Sequence, residues 1–270
     1  MKNIIPIEFD SIDSTHAFVK RNYLYFPAHF ITRVTATAQT AGKGRTNKRW
    51  ISPPHQNIYI SYFLTLNKAQ PDLSNLAQVV AVTAAEWLEH YRFHPQIKWP
   101  NDLLIQGKKV AGALCEWIDM KTQLGAILSL GINVNMDPSQ LEIIDQPATS
   151  MYAASGQRYS IKDLISQLDL SIAVAIEHYK RAGFRFFYLS YDSYLIGKGN
   201  AITYFCKGAT QEAILDSLNA DGRLNIRLKT GEVHTVSSGE IESIRCSEAI
   251  SLSSVHDKKL GLARISHKLC

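Results

Sequence analysis

Four short segments hold residue types that do chemistry when a fold brings them together. The first, Gly42-Lys43-Gly44-Arg45-Thr46-Asn47-Lys48-Arg49-Trp50, sets four cations within seven residues beside two glycines and a tryptophan. Glycine lets a backbone approach a ligand closely, and successive N–H groups cradle an anion. Arginine grips phosphate or carboxylate through a two-pronged fork, and Trp50 offers a face to a planar base. The spacing is not that of a GxxxxGK[ST] phosphate loop. A solvated basic loop and a single-strand nucleic-acid contact are competing readings of the same residues. In the second segment, Lys98-Trp99-Pro100-Asn101-Asp102, a proline and polar groups interrupt an apolar run, which is costly unless they are paired or used. A structural ion pair is the simpler alternative there. Lys109 leads an apolar strand that runs to Glu116, with Gly112 marking close backbone approach. A lysine at a strand end is also an ordinary edge charge. The fourth segment, Gly131-Ile132-Asn133-Val134-Asn135, ends an apolar strand, where an asparagine caps a turn or reads a polar ligand edge.

Regular elements must position these segments. Asp13-Ser14-Thr15 has the composition of a helix cap ahead of a short helix over 16–23. Residues 31–38 are rich in β-branched side chains, and 58–66 form an apolar, aromatic run, so both read as strands. Residues 75–91 suit a helix with a broad buried face. Three further strands are expected over 97–105, 109–118 and 124–134. Gln106-Gly107 and Lys121-Thr122 sit between them at hairpin spacing, which predicts antiparallel neighbours. A long amphipathic helix is expected over 160–182, with Ser160 as its cap and Gly183 as its stop. Beyond Tyr194 short β-type runs alternate with turn signals (201–206, 212–217, 223–228, 233–236), the texture of a small β-barrel. The expected division is 1–194, 195–246 and a polar tail over 247–270.

Composition bounds the partners. The chain has 270 residues, 46% hydrophobic and 20% charged, which is ample for one large and one small domain. A net charge of +5 is too mild to argue for nucleic acid by itself. Cys115, Cys206, Cys246 and Cys270 are scattered without metal-ligand spacing, so reduced thiols in a cytoplasmic protein are expected. Glu8 and Asp10 break the apolar stretch that a signal peptide needs, and no segment has the length of a membrane span.

In combination the segments resemble the biotin–protein ligase family. Its pattern runs DSTN, Q-x-x-GRGRxGRxW, KWPND, K-x-AGIL-x-E and GIGIN. Here the corresponding runs are Asp13 to His16, Gln39 to Trp50, Lys98 to Asp102, Lys109 to Glu116 and Ser129 to Asn133. Five motifs in order over about 120 residues are far more specific than any one of them. The resemblance implies an α+β fold: a mixed or antiparallel sheet flanked by helices, of class II synthetase type, with a small β-barrel after it. It implies that biotin and MgATP give biotinyl adenylate and pyrophosphate, and that a lysine of a carboxylase's biotin-carrier domain then attacks the adenylate. Position by position, Ser14, Thr15 and Gln39 match residues that bind the ureido ring. Gly42, Lys43, Gly44 and Arg45 match the loop closing over carboxylate and phosphates. Lys48 and Trp50 fall on the nucleotide side. Lys109 matches the lysine reaching the carboxylate and α-phosphate, with Gly112 beside it. Lys98, Asn101 and Asp102 match the phosphate and metal end, where Mg²⁺ would arrive with the phosphates, and Asn133 matches the residue beside adenine. Arg45, Asp102 and Lys109 are the implied catalytic residues.

The chain departs from this pattern at His16 (family Asn), Lys43 and Lys48 (Arg), Asn47 (Gly) and Ser129 (Gly). Because the first motif begins at Asp13, the resemblance is to the single-function type, without operator DNA as a partner. A lipoate-type ligase of the same fold is the neighbouring alternative, against which the 39–50 and 98–102 motifs argue. A nucleic-acid-binding module built on loop 42–50 is the alternative from another class. The ligase reading also expects that loop to be mobile when empty and ordered by ligand.

Overall fold

The computed structural model describes residues 4–69, 73–206, 208–241 and 243–246. The chain starts with a strand, β1 (Ile4–Ile12), followed by helix α1 (Thr15–Asn22) and strands β2 (Ile31–Gln39) and β3 (Asn57–Asn67). Helix α2 (Leu76–His90) leads into β4 (Pro95–Lys98), β5 (Asp102–Ile105), β6 (Lys108–Asp119) and β7 (Gln123–Asn133). These seven strands form one sheet in the order β1-β2-β3-β7-β6-β5-β4. The β1–β2 pair is parallel and the other pairs antiparallel, so the sheet is mixed. Short helices α3 (Pro138–Leu141) and α4 (Met151–Ser155) precede the long α5 (Ile161–Ala182) and then α6 (Tyr188–Tyr194). A second, antiparallel sheet follows, made of β8 (Ala201–Cys206), β9 (Ala209–Leu218), β10 (Leu224–Arg227), β11 (Val233–Val236) and β12 (Ser243–Cys246). Its order is β11-β10-β9-β8-β12.

Local chemistry accounts for the element ends. Ser14 caps α1 by accepting from the Ala17 N–H at 3.4 Å. Ser160 caps α5, and Gly183, at φ 61°, stops it. Gln106 and Gly107 both adopt positive φ, 52° and 73°, as the tight β5–β6 hairpin requires. One expectation needs correction. The single strand expected over 97–105 is two strands, because Trp99, Pro100 and Asn101 turn the chain back and pair β4 with β5. Pro100 lacks the N–H a continuous ladder needs there. The residues before Asp13, to which the sequence pattern assigned no element, are an edge strand of the large sheet.

Period-two alternation divides the sheet into two faces. On β3, Ile58, Ile60, Tyr62 and Leu64 turn to the layer of α2 and α5 and join the main core. That core continues without a break into Ile202, Leu215, Leu224 and Ile226 of the second sheet. On the opposite face Phe63 and Ile127 pack with Val19 of α1 and Val34 of β2. The same alternation leaves Tyr59, Ser61, Ser129 and Gly131 on the α1 side, where the cleft forms. Among the described residues no helix is long and apolar enough to cross a membrane.

The turns of the second sheet dock on the first. Asn75 Nδ2 donates to Asp221 O at 2.7 Å, and Gly222 O accepts from both Gln78 Nε2 (2.7 Å) and Trp99 Nε1 (3.0 Å). Tyr191 of α6 donates to Pro100 O at 2.9 Å. The 98–102 turn is thereby held from behind at two points, Trp99 by Gly222 and Pro100 by Tyr191.

Candidate functional site

A solvent-connected cleft with about 1080 Å³ of empty space lies over the α1 face of the large sheet. Sheet register explains its floor. Asp102 pairs with Gly112, Gly112 with Gly131, and Gly131 with Tyr59, so these four form one row across β5, β6, β7 and β3. The two central members have no side chain, which leaves a trough bounded by Tyr59 on one side and Asp102 on the other. Trp50 lies in that trough: a Cβ on Gly131 would come within 2.5 Å of its Cε2. Lys109 bounds the far end, its Nζ 2.7 Å from Asp102 Oδ1 and 5.5 Å from the Trp50 ring. Its backbone is fixed on both sides, donating to Pro147 O and accepting from the Thr149 N–H, each at 2.9 Å.

Two residues along the strands, roughly 7 Å away at strand spacing, the row changes character. There Ser61 of β3 pairs with Ser129 of β7, and their hydroxyls lie 2.7 Å apart. Thr15 at the start of α1 joins them, accepting from Ser61 Oγ at 2.9 Å. Gln39, the last residue of β2, accepts from the Thr15 N–H at 2.9 Å and donates to Ser52 Oγ at 3.0 Å. Ser14, Thr15, Ser61 and Ser129 are all buried. Burying so many polar groups is affordable because they satisfy one another.

The basic loop is folded against the cleft. Lys43 and Arg49 form an antiparallel bridge, and Gly44 N–H donates to Lys48 O at 2.7 Å. Gly42 has no room for a side chain: a Cβ would lie 2.6 Å from Trp50 O. Arg45 turns inward, donating to Ser238 O at 2.5 Å and to Asn101 Oδ1 at 3.4 Å. Its guanidinium thus ties the loop, the 98–102 turn and the second sheet together. Burial pulls its pKa below the ordinary arginine value, against the nearby Asp102 carboxylate, which opposes that shift. Asn101 is buried and anchored to Ala113, accepting from its N–H at 3.0 Å and donating to its carbonyl.

Most of the sequence-predicted residues line this one cleft: Ser14, Thr15 and Gln39, then Lys43, Gly44, Arg45, Lys48 and Trp50, then Lys98, Asn101, Asp102, Lys109 and Gly112. Gly42 and Asn133 do not line it. Gly42 is buried beneath the loop. Asn133 is buried, with its Nδ2 donating to Thr149 O at 3.0 Å and its Oδ1 without a protein partner. The Trp50 indole N–H is likewise buried without a protein partner. Such orphaned polar atoms are uncommon in folded proteins and are open to a partner such as ordered water or a ligand. His16, Ser129, Tyr59 and Gln146 also line the cleft. The first two stood out only as departures from the motif pattern, and Tyr59 and Gln146 carried no sequence signal. Among the described residues no group of three or more His, Cys, Asp or Glu is arranged to hold a metal. Asp102 is a single carboxylate, which suits a Mg²⁺ carried in by phosphates, not one caged by protein.

Known proteins agree with this geometry. Residues 8–133 match the biotin/lipoate A/B protein ligase family. Bifunctional ligase/repressor BirA of Bacillus subtilis is 33% identical over 173 residues, which cover 62% of this chain and 53% of that protein. Biotin–[acetyl-CoA-carboxylase] ligase of Mycobacterium tuberculosis is 31% identical over 129 residues, covering 43% of each chain. The chain thus spans about half the length, or less, of these two relatives. Among solved structures, the biotin protein ligase of Aquifex aeolicus in complex with biotin and ATP superposes with a TM-score of 0.76 at 28% identity. That likeness covers 90% of this chain and 99% of that one. Over residues 8–133 the chain is thus similar to the biotin/lipoate A/B protein ligase family, and its fold is similar to that of a solved biotin protein ligase.

Proposed function

We propose that this protein is a biotin–protein ligase that condenses biotin with ATP and passes the biotinyl group to a lysine of a biotin-carrier domain. One observation carries the reading. A buried hydroxyl-and-amide pocket (Thr15, Gln39, Ser129) opens into a glycine-floored trough with Lys109 and Arg45 at its far end and Trp50 across it. A ureido ring needs matched polar partners, its carboxylate needs a cation, and a purine needs an aromatic face. The trough offers these in the order in which biotin and ATP would meet. The relatives named biotin ligases, and the neighbour solved with biotin and ATP, support the same assignment.

In the first step a biotin carboxylate oxygen attacks the α-phosphorus and pyrophosphate leaves. Two anions must approach, so a fixed cation lowers the barrier by stabilising the charge that accumulates. Lys109 is that cation. Its Nζ lies 2.7 Å from Asp102 Oδ1, and ligand oxygens would replace this carboxylate as its partner. Arg45 and Lys43 follow as the loop closes, with Lys48 and Lys98 on the phosphate side. Asn101 and Asp102 are the side chains at the phosphate end, where a Mg²⁺ carried by the phosphates would supply charge neutralisation for the leaving pyrophosphate. The freed Asp102 then positions the acceptor lysine for attack on the acyl carbon, with AMP leaving. The unpartnered Asn133 Oδ1 and Trp50 Nε1 are the groups we assign to the adenine end.

We take the chain to divide near Leu195, with the second sheet serving as a brace for the 98–102 turn. The free thiols Cys115 and Cys206 support a reducing, cytoplasmic setting. ATP–pyrophosphate exchange with biotin or lipoate as the acid tests the reading. Exchange that requires biotin and Mg²⁺ is the expected result. Exchange driven by lipoate would shift the assignment to the neighbouring ligase, and none with either acid would defeat it.

A further inference from the structure

Two of the departures from the motif pattern touch each other. His16 lies on the first turn of α1 and Ser129 on β7, 113 residues apart, yet His16 Nδ1 is 2.8 Å from Ser129 Oγ and both are buried. From Ser129 a continuous chain of contacts runs to Ser61 (2.7 Å), Thr15 (2.9 Å) and Gln39 (3.3 Å).

The direction of this chain follows from proton bookkeeping. Ser52 Oγ donates to Trp50 O at 3.0 Å, so it accepts from Gln39 Nε2. That fixes the Gln39 oxygen as the atom facing Thr15, where it also accepts the Thr15 N–H. An amide oxygen cannot donate, so the Thr15 hydroxyl proton points to Gln39. The Ser61 proton then points to Thr15, and the Ser129 proton to Ser61. Four contacts exist and three hydroxyls supply protons. The fourth proton, between His16 and Ser129, has to come from the imidazole. On its other side, His16 Nε2 lies 3.2 Å from Glu116 Oε1, a carboxylate that competes for the ring proton. The Glu116 charge is balanced by Lys20, 2.6 Å from Oε2.

We propose that His16 is a positioning residue for ligand selection: by holding its proton on Nδ1 it drives every hydroxyl of the chain toward Gln39. The walls of the head-group pocket then present oxygen lone pairs at Ser129 and Thr15. Lone pairs accept from the ring N–H groups of a cyclic urea, and they have nothing to accept from a dithiolane. The pair thus provides a physical basis for choosing a ureido acid over a sulfur-ring acid. This inference rests on the cleft taking biotin, as proposed above.

Two measurements test it. Nitrogen-15 spectra of histidine-labelled protein without ligand, with His16 assigned by its loss in His16→Asn, report which ring nitrogen bears the proton. The expected result is a protonated Nδ1; a neutral ring protonated at Nε2 would overturn the proposal. Calorimetric biotin affinity is then compared across variants. Asparagine can place its amide N–H where Nδ1 stands, so His16→Asn should stay within about threefold of wild type. His16→Ala, and His16→Gln, whose amide reaches the Nε2 position instead, should weaken binding roughly tenfold, the size of one buried donor lost. Equal affinity for wild type and His16→Ala would overturn the proposal. Wild-type protein that binds no biotin at all would defeat the proposed function, while the ring-nitrogen measurement would still decide the direction of the chain.

Discussion

Gly131→Ala should disable the nucleotide half of the cleft while leaving the fold in place. Gly131 sits mid-strand between Tyr59 and Gly112, so its backbone has no freedom to move aside. A methyl there would lie 2.5, 2.7 and 2.8 Å from Trp50 Cε2, Nε1 and Cζ2. Carbon atoms pack at roughly 3.5–4.0 Å, so the indole must retreat by about 1 Å. Trp50 ends a loop, and moving it is easier than moving the sheet. The stability loss should therefore be that of a modest overpacking, about 1–3 kcal/mol. Activity should fall further, because a displacement of about 1 Å next to reacting groups costs on the order of 10²-fold. Biotin-dependent ATP–pyrophosphate exchange at varied ATP is the assay. Gly239→Ala, whose added methyl would meet nothing within 4 Å, is the control. Wild-type exchange kinetics in Gly131→Ala would refute the reasoning that this glycine exists to seat Trp50 in the trough.

Other consequences follow from the same geometry. Lys109→Ala should slow adenylate formation by about 10²-fold or more, the scale of one lost charge stabiliser, with a much smaller loss of biotin affinity; equal losses in single-turnover and binding experiments would make Lys109 only an anchor. Gly222→Ala should destabilise the protein by about 3–5 kcal/mol, combining strain at positive φ with loss of buried hydrogen bonds. The φ there is 79° and the added methyl would meet Asn75 Nδ2 at 2.1 Å, so chemical denaturation should reveal the loss. Burial holds the His16 pKa below the ordinary histidine value of about 6.5, outweighing the opposing pull of Glu116. Below about pH 6.5 the unfolded chain takes up a proton that the folded chain refuses, so stability should decline as pH falls toward the folded-state pKa and stay flat above that range. His16→Asn should remove this part of the acid slope in thermal melts, and an unchanged slope would show that His16 does not titrate as its burial requires.

Legibility in the sequence tracked how local each cause was. The caps at Ser14 and Ser160, the stop at Gly183 and the Gln106-Gly107 hairpin depend on neighbours within a few residues, and the structure has them where the pattern put them. The break at Pro100 was visible as an oddity, yet its meaning required knowing that β4 pairs back on β5. Strand β1 was overlooked because its polar residues alternate outward on a sheet edge and so dilute the apolar signal. The cleft residues announced themselves through motif spacing, but their wiring did not. Arg45 meets carbonyls 193 and 196 residues away, and His16 meets Ser129 across 113. Contacts at that separation are set by sheet register and leave no mark in a local pattern. Residues 247–270, read as a polar tail that includes Cys270, lie outside the described structure.

The central claim is tested most directly by incubating the purified chain with biotin, MgATP and an isolated biotin-carrier domain, then measuring the carrier's intact mass. The account predicts a gain of one biotinyl group on a single carrier lysine, lost when ATP is omitted or Lys109 is replaced by alanine. An unmodified carrier, from folded protein that still binds biotin and ATP, would contradict it.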